Sequence, residues 1–233
     1  MIRPNSRIYI ISIMPVFDEK SVTPLGALDA KHTSQLYANL ILNHKENLDQ
    51  IVNNTSITYC FDEKDKNHLP EQIKINNALN IFGNSGNPFQ NIKSIFDKYF
   101  GTASINLLVF ANSIGFSPSE LKRILDLLTI ESDAVIIGKS INGGVSFIGF
   151  NYMNPDLIGD IQWDKMKFEN LLHKVNKFDN FVYVWENSLV VSSGKDFKLL
   201  YSELSRKESL EFCSQQMHEK FTHIFIEYKD LLK

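Results

Sequence analysis

Two short segments carry residue types that hold phosphate or let a ligand reach the backbone. Residues 83–87 read Gly-Asn-Ser-Gly-Asn and run into Pro88, which suits the first turn of a helix. Asn84 and Gly86 therefore stand where free backbone N–H groups at a helix start attract an anion. The segment lacks the lysine of a phosphate loop, and the same composition makes an ordinary turn. Asn142, Gly143 and Gly144 precede an apolar run. Two residues without a Cβ permit close approach of a ligand, and equally a tight turn.

Other chemistry-bearing residues are scattered. The histidines at 32, 44, 68, 173, 218 and 223 show no metal-ligand spacing and read as surface or packing residues. No Gly-x-Ser-x-Gly elbow is present. Cys60 and Cys213 lie in apolar contexts far apart, as buried thiols of a reducing compartment do. The stretch Phe-Thr-His-Ile-Phe-Ile at 221–226, with Tyr228, reads first as core and second as an apolar stripe for a partner.

Apolar runs at 7–13, 55–61, 105–111, 133–138, 145–150 and 181–185 predict buried strands. Residues 31–52 keep helical apolar spacing. Helices are expected at 88–99, at 118–128 behind Ser117 as N-cap with Glu120 three residues on, and at 168–175, 196–204 and 209–232. Residues 14–28 contain Pro15, Pro24 and Gly26 and form a loop. Residues 62–71 are polar and read as surface. The alternation of strands and helices predicts an α/β three-layer sandwich with a mainly parallel central sheet, as one domain over residues 1–233. In such sheets ligands bind in the loops after the carboxyl ends of the strands.

The chain has 233 residues, a formal net charge of −3 and 43% hydrophobic residues, ordinary for a globular protein. No basic stripe interleaved with aromatics marks a nucleic-acid partner. No apolar stretch reaches the ~18 residues of a membrane span. The apolar run at 8–16 lacks a small-residue cleavage site, so a cytoplasmic protein is expected.

The ordered loops resemble those of one family, the GT-A-type glycosyltransferase-like proteins of the nucleotide-diphospho-sugar transferase superfamily. The branch is the bacterial one related to molybdenum-cofactor guanylyltransferases, which includes transferases assigned to arsenosugar biosynthesis. Residues 13–25 (IMPVFDEKSVTPL) stand against the family's F-x-K-x-P-x-x-G-x-V-K-T-R-L, and residues 30–42 against the following helix. Residues 86–92 loosely match G-D-L-G-x-R-M. Residues 111–121 (ANSIGFSPSEL) match S-D-x-P-D-L-T-P-E-L, and residues 142–149 (NGGVSFIG) match D-G-G-Y-Y-L-I-G. Trp163 resembles a family tryptophan, and residues 190–197 (VVSSGKDF) match D-x-D-T-P-x-D-L. The resemblance reaches to about Leu204.

That resemblance implies a putting-together of Ser12, Thr23, Asn84, Gly86, Asn112, Asn142, Gly143, Gly144 and Trp163 around a nucleotide or nucleotide sugar. It also implies a divalent cation, Mg or Mn, held by aspartates. Here those aspartates fall at Asn112, Gly115 and Asn142, and the late acidic pair at Val190 and Ser192. The first-loop lysine and arginine fall at Val22 and Pro24. An asparagine carbonyl can ligate a cation but adds no charge. The expectation is a glycosyltransferase-like protein with a degraded metal and phosphate site, weakly active or inactive, that takes Mg or Mn only if that site still functions. Lys20, Lys31 and Lys139 lie near the loops as possible substitutes for the lost cations. The alternative is a non-catalytic small-ligand-binding or protein-interaction domain, with a homo-oligomer or a protein partner.

Overall fold

The computed structural model describes residues 6–12, 14–51, 55–74, 79–83, 105–151 and 166–232. Their strands form one curled sheet in the order β3-β2-β1-β4-β7-β6-β8-β5. The strands are β1 (Ser6–Ile11), β2 (Thr55–Asp62), β3 (Leu79–Gly83), β4 (Ile105–Phe110), β5 (Ser113–Ile114), β6 (Ala134–Ser140), β7 (Val145–Phe150) and β8 (Phe181–Val190). β1 pairs in parallel with both β2 and β4, with Ile11 opposite Cys60 on one side and Phe110 on the other. β7 runs antiparallel to β4 and β6, because the Gly143-Gly144 turn returns the chain as a hairpin. β8 is again parallel to β6.

Alternate residues of the strands face opposite layers. Ile8, Ile10, Tyr59, Phe61, Leu107, Val109 and Ile136 join one buried cluster. Tyr9, Ile11, Cys60, Leu108, Phe110, Val135 and Ile137 join the other. The first cluster is covered by α1 (Ala30–Asp49), α3 (Pro118–Ile130), α5 (Gly194–Leu204) and α6 (Gln215–Glu227), after the short α2 (Glu71–Lys74). The second is covered by α4 (Phe168–Val175) through Phe168, Leu171 and Val175. This is the expected three-layer, mainly parallel α/β architecture.

The differences have local causes. β8 runs on to Val190, five residues past the expected end, because Ser188 pairs with Ser140 and Leu189–Val190 pair with β5. β5 and β3 were not expected; β5 is two residues long and β3 carries a polar Asn80. The expected helix over 209–232 is broken. A 3-10 turn at Lys207–Glu211 ends at buried Cys213, and Ser214 caps α6 by accepting the Met217 N–H. Within the polar stretch 62–71, Asp65 is wholly buried, on a 3-10 turn at Glu63–Asn67 that Asp62 caps. The six-residue run at 221–226 is core, with Phe221, Ile224 and Phe225 buried and only Ile226 well exposed among its apolar members. The helix expected at 88–99 lies outside the described residues.

Candidate functional site at the carboxyl edge of the sheet

The chain leaves β1 for β2 and β3 on one side and places β4 on the other. The crevice beyond the carboxyl ends of β1 and β4 is therefore the topological switch point where such sheets take ligands. A small open cleft lies there, between Ile11, Ser12, Met14 and Val16 on one wall and Ala111 and Asn112 on the other, with Tyr37 of α1 behind. Ala111 N–H donates to Ile11 O at 2.9 Å and Ser12 N–H to Cys60 O at 2.9 Å, so both loops leave the sheet in register. Ser12 Oγ turns back to donate to Met14 O at 2.6 Å.

Two loops and α1 converge on the end of β8. Asn112 and Val191 exchange two bonds, Asn112 Nδ2 to Val191 O at 3.1 Å and Val191 N–H to Asn112 O at 2.8 Å. Tyr37 OH donates to the same Val191 carbonyl at 3.4 Å. Burial, and secondarily the charge of Asp196, pushes the Tyr37 phenol up to about 12, so it stays a donor at neutral pH. From the hairpin turn, Asn142 Nδ2 donates to Val190 O at 2.7 Å and to Asp196 Oδ1 at 2.7 Å. Its Oδ1 accepts from Ser140 Oγ, which in turn accepts the Val190 N–H at 2.9 Å. Asn112 and Asn142 thus hang on adjacent carbonyls.

Asp196 is the acid that sequence reasoning passed over. It is the last residue but one of 190–197, three residues after the N-cap Ser193, so the signal was present. Its Oδ2 accepts from Ser192 N–H at 3.0 Å, Ser192 Oγ at 3.1 Å and Ser193 Oγ at 2.8 Å. Burial pushes the carboxyl up, but the donors from Asn142, Ser192 and Ser193 outweigh it and hold the group below its ordinary value. Both oxygens are therefore occupied by donors.

Gly143 takes φ +81 and a Cβ there would meet open space, whereas a Cβ on Gly144 would lie 3.5 Å from Val190. The pair makes the hairpin turn, closed by Gly143 N–H to Ser140 O at 2.9 Å and Ser140 N–H to Gly144 O at 3.0 Å. Gly26, at φ +62, approaches so closely that its Cβ would lie 2.9 Å from the Gly194 Cα, which docks the first loop on the start of α5. Thr23 is exposed and stands apart from the cleft walls. Asn84, Gly86 and Trp163 lie outside the described residues. Lys139 pairs with Glu186 at 3.3 Å and lies over the Phe168 ring.

Residues fit for a divalent cation would present oxygen lone pairs to one point. Asn112 and Asn142 present N–H groups, and Asp196 already accepts one donor at Oδ1 and three at Oδ2. Among the described residues no three His, Cys, Asp or Glu side chains gather. His44 is buried on α1, stacked on Phe116 and 3.4 Å from Ser113 Oγ. Burial pushes it down to about 4, leaving it neutral.

No protein-family model matches the chain, and no curated protein matches it either. Solved structures do. A protein assigned as a nucleotide-diphospho-sugar transferase, from Desulfovibrio desulfuricans G20, superposes with a TM-score of 0.71 at 16% identity over 96% of this chain and 97% of that one. The 4-diphosphocytidyl-2C-methyl-D-erythritol synthase of Anaerococcus prevotii DSM 20548 superposes with a TM-score of 0.57 at 10% identity over 87% of this chain and 97% of that one. Rv0371c of Mycobacterium tuberculosis H37Rv, in complex with manganese, superposes with a TM-score of 0.50 at 8% identity over 85% of this chain and 99% of that one. No helix among the described residues is long and apolar enough to cross a membrane. The chain has the GT-A-like fold of the nucleotide-diphospho-sugar transferase superfamily.

Proposed function

We propose that the chain is a divergent glycosyltransferase-like protein, a single cytoplasmic domain that takes a nucleotide or nucleotide sugar at the carboxyl edge of β1 and β4 without a tightly held cation. One observation carries this reading. The Asn142 amide stands between Val190 O and Asp196 Oδ1, 2.7 Å from each, and donates to both. A cation bridging those oxygens would have to displace a donor already in place. Manganese is bound by one protein of the same fold. Here the donor set is the reverse of what that ion requires.

Without the ion, charge on a diphosphate leaving group goes unbalanced, so transfer of glycosyl or nucleotidyl groups is slow or absent. The cleft keeps what recognises an uncharged ring: apolar walls, and a phenol and an amide at its back. A thermal-shift screen of nucleotides and nucleotide sugars, with and without manganese, tests the reading by mass action. At least one nucleoside-containing ligand should raise the midpoint equally in both conditions. A rise that requires manganese defeats the cation-free site. No rise with any of them moves the chain to the other reading, a non-catalytic small-ligand-binding or protein-interaction domain.

A further inference from the structure

Three consecutive main-chain N–H groups of the first loop turn to one carboxylate. Val16 N–H reaches Asp65 Oδ1 at 3.1 Å and Oδ2 at 3.0 Å. Phe17 N–H reaches Oδ1 at 2.7 Å and Asp18 N–H reaches it at 3.0 Å. Successive N–H groups pointing at one spot form an anion-binding concavity, the arrangement with which loops hold phosphate. Here the anion comes from the chain itself, from the 3-10 turn that directly follows β2, and Asp65 is 0% exposed.

This concavity adjoins the cleft. Val16 donates into it while its side chain lines the cleft wall. Ser34 Oγ of α1 holds the Val16 carbonyl at 2.6 Å, and Phe17 packs edge-on against Phe61 at 5.4 Å. The loop is therefore fixed on both sides in the shape a bound anion would impose. Other donors of the loop are also engaged: Ser12 N–H with Cys60 O, Leu25 N–H with Thr33 Oγ1, and Asp29 N–H with Tyr228 OH. A phosphate brought to residues 16–18 would meet a buried carboxylate, and like charges repel strongly where water is excluded.

We propose that Asp65 is a resident anion in a phosphate-type nest of the first loop, and that it sets the ligand class of the adjoining cleft by excluding phosphate from that loop. The ligand then enters with an uncharged part against Val16 and Met14. This inference stands apart from nucleotide binding, and its test uses simple anions only.

The full chain and its Asp65→Ala and Asp65→Asn variants are followed by thermal unfolding in formate and in inorganic phosphate, with chloride at matched ionic strength as control. Three orphaned donors should lower the Asp65→Ala midpoint by roughly 6–12 °C. Formate and phosphate should restore it saturably, and neither should move the unaltered chain beyond chloride. Asp65→Asn keeps one acceptor and should fall between, with no rescue. A folded Asp65→Ala variant that gains nothing over chloride would mean that Asp65 is only a prop, and overturns the proposal. An unaltered chain that gains as much from phosphate as the variant also overturns it. If Asp65→Ala is unfolded in chloride, refolding in formate supports the proposal, and failure to refold there while Asp65→Asn folds overturns it.

Discussion

Replacing Asn142 by aspartate reverses the sign of the contact that closes the site. The Nδ2 group now lies 2.7 Å from both Val190 O and Asp196 Oδ1. Asn142→Asp places a carboxylate there, facing a carbonyl and a second carboxylate. Two unit charges at ~3 Å repel by roughly 1.5 kcal/mol at the dielectric of water and roughly 5 kcal/mol at an effective value of 20. Asn142 is exposed while Asp196 is 6% exposed, so about 2 kcal/mol is the reasonable repulsion, and the lost hydrogen bonds add about 1 kcal/mol. For a chain of this length about 3 kcal/mol lowers the melting midpoint by roughly 6–12 °C. A divalent cation reverses that loss, because the variant offers two carboxylates and a carbonyl to one point. At ~100 times its Kd the ion returns about 2.7 kcal/mol, close to the whole deficit. The assay is thermal unfolding of both proteins in chelator and in millimolar manganese. The unaltered chain should not respond to the ion. A variant as stable as the parent in chelator, or a parent that gains as much from manganese as the variant, would refute the reasoning that the amide stands in a cation's place.

Asn112→Asp removes the donor to Val191 O; combined with Asn142→Asp, the gain in manganese affinity measured by calorimetry should exceed the sum of the single changes, since both carboxylates would serve one ion. His44 is neutral in the fold, pushed down to about 4 from 6.5, so its contribution is full above pH 6.5 and is lost as pH falls toward 4. That amounts to about 3 kcal/mol, and denaturant titrations at steps through this window should show the loss, with His44→Gln abolishing it. Gly149→Ala should cost about 1–3 kcal/mol by overpacking, because its Cβ would lie 2.9 Å from Leu128 Cδ1 and 3.1 Å from Leu107 Cδ1; chemical denaturation reads it directly. Gly26→Ala adds a left-handed φ to a contact of 2.9 Å with the Gly194 backbone, and should cost about 2–4 kcal/mol, with proteolysis of the first loop as a second readout.

What the sequence revealed follows from which interactions leave a pattern in residue types. The central strands were legible because both faces are buried, so residues 107–110 and 134–137 are apolar without interruption. The start of α3 was legible because a capping box is a side-chain motif: Ser117 and Glu120 do close on each other, with Ser117 N–H to Glu120 Oε2 at 2.9 Å and Glu120 N–H to Ser117 Oγ at 3.2 Å. Asn112 and Asn142 could be placed at one edge because turns after strands put them there. Asp65 was read as surface because its partners are backbone N–H groups from 47 to 49 positions away, and a backbone donor has no residue type. Tyr37 sits on the apolar face of α1 among Leu36, Leu40 and Ile41, so nothing in the residue pattern singles out its hydroxyl. The break before α6 rests on Ser214 alone, without the Gly or Pro that punctuates most helix ends.

Three consecutive residues at the end of β8 organise the edge. Val190 receives the hairpin turn through Asn142, Val191 receives β4's loop and α1 through Asn112 and Tyr37, and Ser192 receives α5 through Asp196. The extension of β8 beyond the expected strand is what brings these residues under the cleft, since pairing of Leu189 and Val190 with β5 carries the strand past β6. Each junction is neutral or internally compensated, and each uses a side-chain amide or hydroxyl where an ion-binding edge needs free oxygen lone pairs. A site assembled by an ion changes its order with the ion's concentration, because binding free energy then forms part of the folding free energy. This edge is closed by the chain's own donors, so its geometry is set before any ligand arrives. The pre-organisation of this edge is written in the direction of the Asn142 N–H bonds.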